Sequence, residues 1–165
     1  MKLRKATRDD LKNFEDILNR VLEVGKVTGL NWTKNYPRKI HFEEDLKNDE
    51  LYVLEDNKQI IGAVCLNDKY DINYNKINFS YSKRALLIHR LMIDGKFSNK
   101  GYGKKMIREI EKFALDNGYD SIKLDTNEKN KIAQKLYFGS GYIKKGMMNL
   151  EGKEGNYIAL QKILK

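Results

Sequence analysis

The chain has 165 residues, 41% hydrophobic and 33% charged, a balance that suits one globular domain over residues 1–165 and excludes a disordered polymer. Its net charge of +9 suits a polyanionic partner, either nucleic acid or a phosphorylated cofactor, and charge alone does not choose between them. No apolar run reaches the ~18 residues of a membrane span, MKLRKATRDDLKNF lacks a signal-peptide core, and a lone cysteine excludes an internal disulfide, so the expected location is the cytoplasm.

LRKAT reads as a first strand. Asp9 and Asp10 open a helix whose apolar positions Leu11, Phe14, Leu18, Val21 and Leu22 recur about once per turn. Gly25 and Gly29 loosen the next segment, and LNWTKNYPRK is a loop with two aromatics, Trp32 and Tyr36, and the single proline, Pro37. FEEDLKND predicts a short second helix whose Glu43, Glu44 and Asp45 either attract a cationic substrate or, as is commoner on a short helix, face solvent. LYVLE and IIGAVCL, separated by DNKQ, predict an antiparallel hairpin with a buried Cys65 thiol.

Residues 67–84 fit either an extended connection or a partly formed strand. LLIHRLMI is a central strand, on which alternation lets only one of His89 and Arg90 point to a given face. Met106, Ile107, Ile110, Phe113 and Ala114 mark the buried stripe of a third helix, closed by Gly118. SIKLDT is the next strand. Asn130 then caps a helix carrying Ile132, Ala133, Leu136 and Tyr137, ended by Gly139 and Gly141. YIKKGMMNL and NYIALQKI predict a closing antiparallel pair. The sum is an α/β fold: one mixed, largely antiparallel sheet of six to seven strands flanked by about four helices.

Between the central strand and the third helix lies DGKFSNKGYGKK. Gly101 and Gly103 permit close ligand approach, and the amides of the helix's first turn lack internal acceptors. A pyrophosphate suits such an end, with Lys100, Lys104 and Lys105 adding charge; a tight turn with solvated lysines is the plainer alternative. Neither GxxxxGK[ST] nor GxGxxG is present, and two histidines far from the cysteine form no metal-site spacing.

Two linked motifs resemble the GNAT superfamily of N-acetyltransferases. Ser98-Asn99-Lys100-Gly101-Tyr102-Gly103 stands where members carry Arg or Gln, two variable residues, Gly, a variable residue, and Gly or Ala. Both glycines match and Ser98 departs. In NKIAQKLYFGSGY, Asn130, Ala133, Leu136, Tyr137, Gly141 and Tyr142 match the family's Asn, Ala, apolar residue, Tyr, Gly and aromatic residue.

The resemblance implies acetyl-coenzyme A as co-substrate, no metal, and a small-molecule or peptide primary amine attacking the thioester directly. It implies that the pantetheine arm lies between two splayed strands along Leu91, Met92 and Ile93. The pyrophosphate would sit over Ser98, Asn99, Lys100, Gly101, Tyr102, Gly103 and Lys104. Asn130 would orient the arm or act as a cap alone. Tyr137 would protonate the departing thiolate, as a phenol of pKa ~10 can. His89 is the candidate base, Asp94 and Asp71 are weaker ones, and a dedicated base is optional in the family. Trp32 and Tyr36 would either wall the acceptor site or pack beneath it. The family admits a monomer or a homodimer. Two rivals remain: a nucleic-acid-binding domain using the ten tyrosines for stacking, and a non-catalytic acetyl-coenzyme A sensor. Dispersed basic residues and the absence of an RNP-like or zinc-finger pattern argue against the former.

Overall fold

The structure, a computed structural model, describes residues 1–164. In chain order the elements are β1 (Lys2–Lys5), α1 (Phe14–Thr28), α2 (Lys39–Lys47), β2 (Leu51–Asp56), β3 (Gln59–Asn67), β4 (Ala85–Ile93), α3 (Tyr102–Asp116), β5 (Ser121–Asn127), α4 (Lys131–Phe138), β6 (Ile143–Met148) and β7 (Tyr157–Ile163). They build one seven-stranded sheet of order β1-β2-β3-β4-β5-β7-β6. Every neighbouring pair is antiparallel except β4 and β5, so the expected mixed, largely antiparallel sheet is present.

The apolar stripes decide which helix covers which face. Met106, Ile107, Ile110 and Ala114 of α3 recur at helical spacing and bury against Leu54, Val64, Leu86, Ile88, Ile122 and Leu124. Phe14, Ile17, Leu18 and Val21 of α1 join Phe42 of α2 on the opposite face, over Val53, Ala63 and Met92. Among the described residues no helix is long and apolar enough to cross a membrane.

Three elements differ from the sequence expectation. Helix α1 does not loosen at Gly25 but continues to Thr28, ending at Gly29 in the left-handed conformation (φ 77°). Gly25 lets Leu30 pack closely on α1, since a Cβ there would lie 3.0 Å from Leu30 Cδ2 and 3.2 Å from its Cβ. Helix α2 starts earlier than Phe42, at Lys39, where Arg38 N donates to His41 Nδ1 at 2.9 Å and His41 N donates to the Arg38 carbonyl at 3.0 Å. Beyond Asn67, the last residue of β3, the segment up to residue 84 forms no strand: Asp71 caps a 3₁₀ turn, Ile72–Lys76, that folds Tyr74 inward beside Leu87, Met148, Tyr157 and Ala159.

Two irregularities of β4 shape the site. Ala85 to Ile88 pair with Ser121 to Leu124, after which β4 and β5 run on with no further pairing between them. The sheet therefore opens into a wedge. On its other side β4 pairs Met92 with Ala63 and His89 with Cys65, so β4 holds one extra residue there, and Arg90 takes φ 49°. This bulge resets the alternation. Leu86 and Ile88 face α3, and so do Leu91 and Ile93; Met92 faces α1 and α2.

Candidate active site

The loop between β4 and α3 is held by charge and close approach. Asp94 accepts hydrogen bonds from Arg20 Nε (2.7 Å) and Nη2 (2.8 Å) and from Lys96 N (3.1 Å). Burial alone would raise its pKa, but the Arg20 guanidinium and the Lys96 amide hold the carboxyl below its ordinary range. Asp94 is thus committed to clamping the loop onto α1. Gly95 allows that contact, because a Cβ would fall 2.8 Å from Arg20 O. Asp71 is likewise occupied, accepting from Asn73 N at 2.8 Å.

Beyond the clamp, Asn99 (φ 59°) and Gly101 (φ 78°) turn the chain into α3. Gly101 stands at the helix N-cap with no side-chain cap present, leaving first-turn amides free. Gly103 also seats α3 against α4, since a Cβ there would lie 3.2 Å from Leu136. Lys100, Lys104 and Lys105 surround this end, and Ser98 and Tyr102 are half-buried within it. A bare fifteen-residue helix end with three cations beside an open strand edge fits a pyrophosphate-bearing ligand with an extended arm.

On α4, Asn130 Oδ1 accepts from Ala133 N at 3.1 Å, so its oxygen acts as a helix cap. That cap starts the helix on which Tyr137 is buried, its ring edge-on to Tyr142 at 5.8 Å. The Tyr137 hydroxyl makes no hydrogen bond among the described residues. Burial, with the charge of Asp125, raises its pKa well above that of an ordinary phenol. The group therefore keeps its proton at neutral pH.

The other mouth of the wedge is polar. His89 Nε2 lies 3.0 Å from Asn67 Oδ1 and 3.1 Å from Lys69 O. The Asn67 amide is oriented by its Nδ2 donating to Glu50 at 2.8 Å. Both partners of Nε2 are thus acceptors, which fixes Nε2 as the donor and leaves Nδ1 with the open lone pair. Burial lowers the His89 pKa.

The expectation that His89 and Arg90 must face opposite ways fails, because the bulge turns Arg90 toward α2. There it forms a bidentate pair with Asp45, with Nε 2.8 Å from Oδ2, and its Nη1 donates to Tyr36 Oη at 3.1 Å. Asp45 accordingly does not face solvent as expected but is buried, while Glu43 and Glu44 are exposed. Trp32 is half-buried against the α1–α2 core, whereas Tyr36 stands at the mouth. Asp45, Glu50 and Cys65 bring potential ligand atoms within 4.8 Å of one another, yet Asp45 is committed to Arg90 and Glu50 to Asn67 and Lys69.

Asp125 is the residue that sequence reasoning passed over. It comes directly after Leu124, the last β5 residue paired with β4, and so stands where the wedge opens. Tyr74 Oη donates to its Oδ2 at 2.8 Å, while Oδ1 accepts no hydrogen bond among the described residues. Its charge is felt by both His89 and Tyr137. The signal was present in SIKLDT: if Leu124 faces the α3 core, alternation sends Asp125 to the opposite side.

A family model described as "Acetyltransferase (GNAT) family" matches residues 14–142. Among solved structures, a GNAT-family acetyltransferase from Streptococcus agalactiae 2603 aligns with a TM-score of 0.86 at 20% identity, covering 99% of this chain and 95% of that one. A structure from Salmonella typhimurium, described with its cofactor acetyl-CoA, gives 0.71 at 15% identity over 100% and 94% of the two chains. Human N-acetyltransferase 8 is 36% identical over 96 residues, 58% of this chain and 39% of that protein. The chain thus spans about two fifths of the length of the N-acetyltransferase 8 proteins that it matches.

Proposed function

The chain belongs to the acetyltransferase (GNAT) family, and from that premise we propose that it moves the acetyl group of acetyl-coenzyme A onto a primary amine by direct attack on the thioester. The observation that carries this reading is the wedge itself. It has a bare helix end and cations at one mouth, carboxylate and imidazole at the other, and a proton-bearing phenol between them.

In this reading the unpaired edge of β4 at Leu91, Met92 and Ile93 hydrogen-bonds the pantetheine amides. The α3 first turn and Lys100 and Lys104 hold the phosphates. Bound there, acetyl-coenzyme A supplies an acyl carbon already activated by its thiol ester.

Asp125 receives the acceptor as an ammonium ion at its free Oδ1 and takes the proton that must leave before nitrogen can attack. His89, neutral and with Nδ1 open, takes the second proton, which nitrogen sheds as it becomes an amide. As the new C–N bond forms and the C–S bond breaks, the Tyr137 hydroxyl donates its proton to the sulfur, and the phenolate is reprotonated from solvent before the next turnover. A small amine and a peptide amine both suit a site open at the α1–α2 loop.

The test is an isothermal titration with acetyl-coenzyme A, and then a thiol-release screen over aliphatic, amino-acid and peptide amines. Saturable one-to-one binding and amine-dependent thiol are expected. Saturable binding without thiol for any amine would replace the transferase with a cofactor sensor, and no binding would reject the site.

A further inference from the structure

The turn between β6 and β7 carries a lysine of this chain into the acceptor mouth. Lys153 Nζ lies 5.2 Å from the ring centroid of Tyr36 and 5.7 Å from that of Tyr157. Other lysines of the chain, Lys69 and Lys162 among them, pair with carboxylates, but Lys153 has no such partner among the described residues. Its ammonium is held by aromatic rings, whose electron-rich faces attract a cation.

The two rings come from remote parts of the chain, and each is tied down at its hydroxyl. Tyr36 Oη accepts from Arg90 Nη1 at 3.1 Å, and Tyr157 Oη accepts from Asn31 Nδ2. The rings are therefore fixed before any ligand arrives. The lysine side chain is not: its turn is held by Lys153 N to Leu150 O at 3.1 Å, Asn127 Nδ2 to Glu154 O at 3.2 Å and Asn149 Nδ2 to Gly155 O at 3.4 Å, but among the described residues no hydrogen bond or ion pair holds the Lys153 ammonium itself. A fixed receptor and a liftable occupant are what a displaceable contact requires.

We propose that Tyr36 and Tyr157 form an ammonium-binding subsite of the acceptor groove, filled in the free protein by Lys153 as an internal stand-in for a cationic group of the acceptor. A cation fits better than an anion. The electron-rich ring faces attract positive charge, and the Arg90 guanidinium beside Tyr36 is already neutralised by Asp45. The acceptor class this implies is an aliphatic molecule with two amines a few carbons apart. One amine, deprotonated, attacks, and the other displaces Lys153 and rests on the rings. The subsite's role toward an acceptor rests on the acetyl-transfer reading; its affinity for an ammonium does not.

The experiment uses the full chain and three probes of equal length, 1-aminobutane in its protonated form, butyrate and 1-butanol, titrated by NMR without cofactor into wild type and Lys153→Ala. Emptying the seat should tighten butylammonium binding by about two- to fivefold, the range of an exposed cation–π contact, and leave butanol unchanged. The added substitution Tyr36→Leu should cancel the gain. Thiol release should in parallel show a lower KM for 1,4-diaminobutane than for 1-aminobutane, with the gap wider in Lys153→Ala. Butyrate binding that disappears in Lys153→Ala, with butylammonium unaffected, overturns the proposal in favour of an anionic acceptor, as does equal binding of all probes by both proteins. A gain in butylammonium affinity without thiol release would preserve the subsite while rejecting the transferase; thiol release with no effect of Lys153→Ala would do the reverse.

Discussion

The hydroxyl of Tyr74 donates a 2.8 Å hydrogen bond to Asp125 Oδ2 across 51 positions of sequence. Tyr74 reaches it because a 3₁₀ turn folds the 67–84 segment over the open sheet face, where Tyr70 stacks on it at 5.9 Å and Phe79 packs at 5.4 Å. One carboxylate oxygen is thereby pinned and the other left toward the wedge. Tyr74→Phe keeps the packing and removes the bond. Steady-state kinetics should show kcat down by about tenfold with KM nearly unchanged, the scale of one hydrogen bond to a charged group. A drop in thermal stability with unaltered kcat would make Tyr74 a packing residue alone.

Tyr137→Phe should lower turnover by about 10²-fold, the lower range for a general acid, while acetyl-coenzyme A affinity measured by titration stays within about twofold. The wild-type phenol is raised by burial and by Asp125, so its ionisation should cost no activity up to pH ~10. Equal turnover in the variant removes the proton-donor assignment.

His89 gives stability a signature in mild acid. Burial lowers its pKa in the folded state, so between its unfolded value of ~6.5 and that lower value the unfolded chain binds the extra proton. Stability is full above pH ~6.5 and declines as pH falls below it. The depressed carboxylates Asp10, Glu50 and Asp94 act in the same direction but lower down, below their unfolded values of ~4. Melting curves at pH 7.5 and 5.5 should therefore differ for wild type and converge for His89→Gln. An unchanged pH difference in the variant would assign the loss to another group.

Arg90→Met strands the buried Asp45 carboxylate and should cost about 3–5 kcal/mol by denaturant unfolding. The double variant Arg90→Met, Asp45→Leu should recover much of that loss, because no charge is then left unpaired. Recovery in the double variant separates charge from packing as the cause.

Cys65 is buried, and its thiol is pushed up to about 12, chiefly by that burial. Iodoacetamide at pH 8 should leave the native protein unmodified and alkylate it once in denaturant, as read by intact mass. Native alkylation at the rate of a free thiol would mean that the β3 region opens readily.

What the sequence by itself determined is the order of elements and the glycine turn with its lysines that opens α3. Apolar spacing in α1 and α3 is a local signal, and so are the glycines before α3, the Asn130 cap and the continuous apolar run of β4, because each acts within one or two turns of chain. Tertiary structure decided the acceptor end. Strict alternation on LLIHRLMI separates His89 from Arg90, but the bulge opposite Ala63 and Cys65 brings both to one side, and it depends on pairing with a strand more than twenty positions away. Asp45 lies on a helix segment that reads as solvated, until Arg90 arrives to pair with it. Tyr74, Asp125 and Lys153 carry no motif because their partners lie on other elements, and a buried charge or ring contact is settled by what packs against it rather than by its neighbours in sequence.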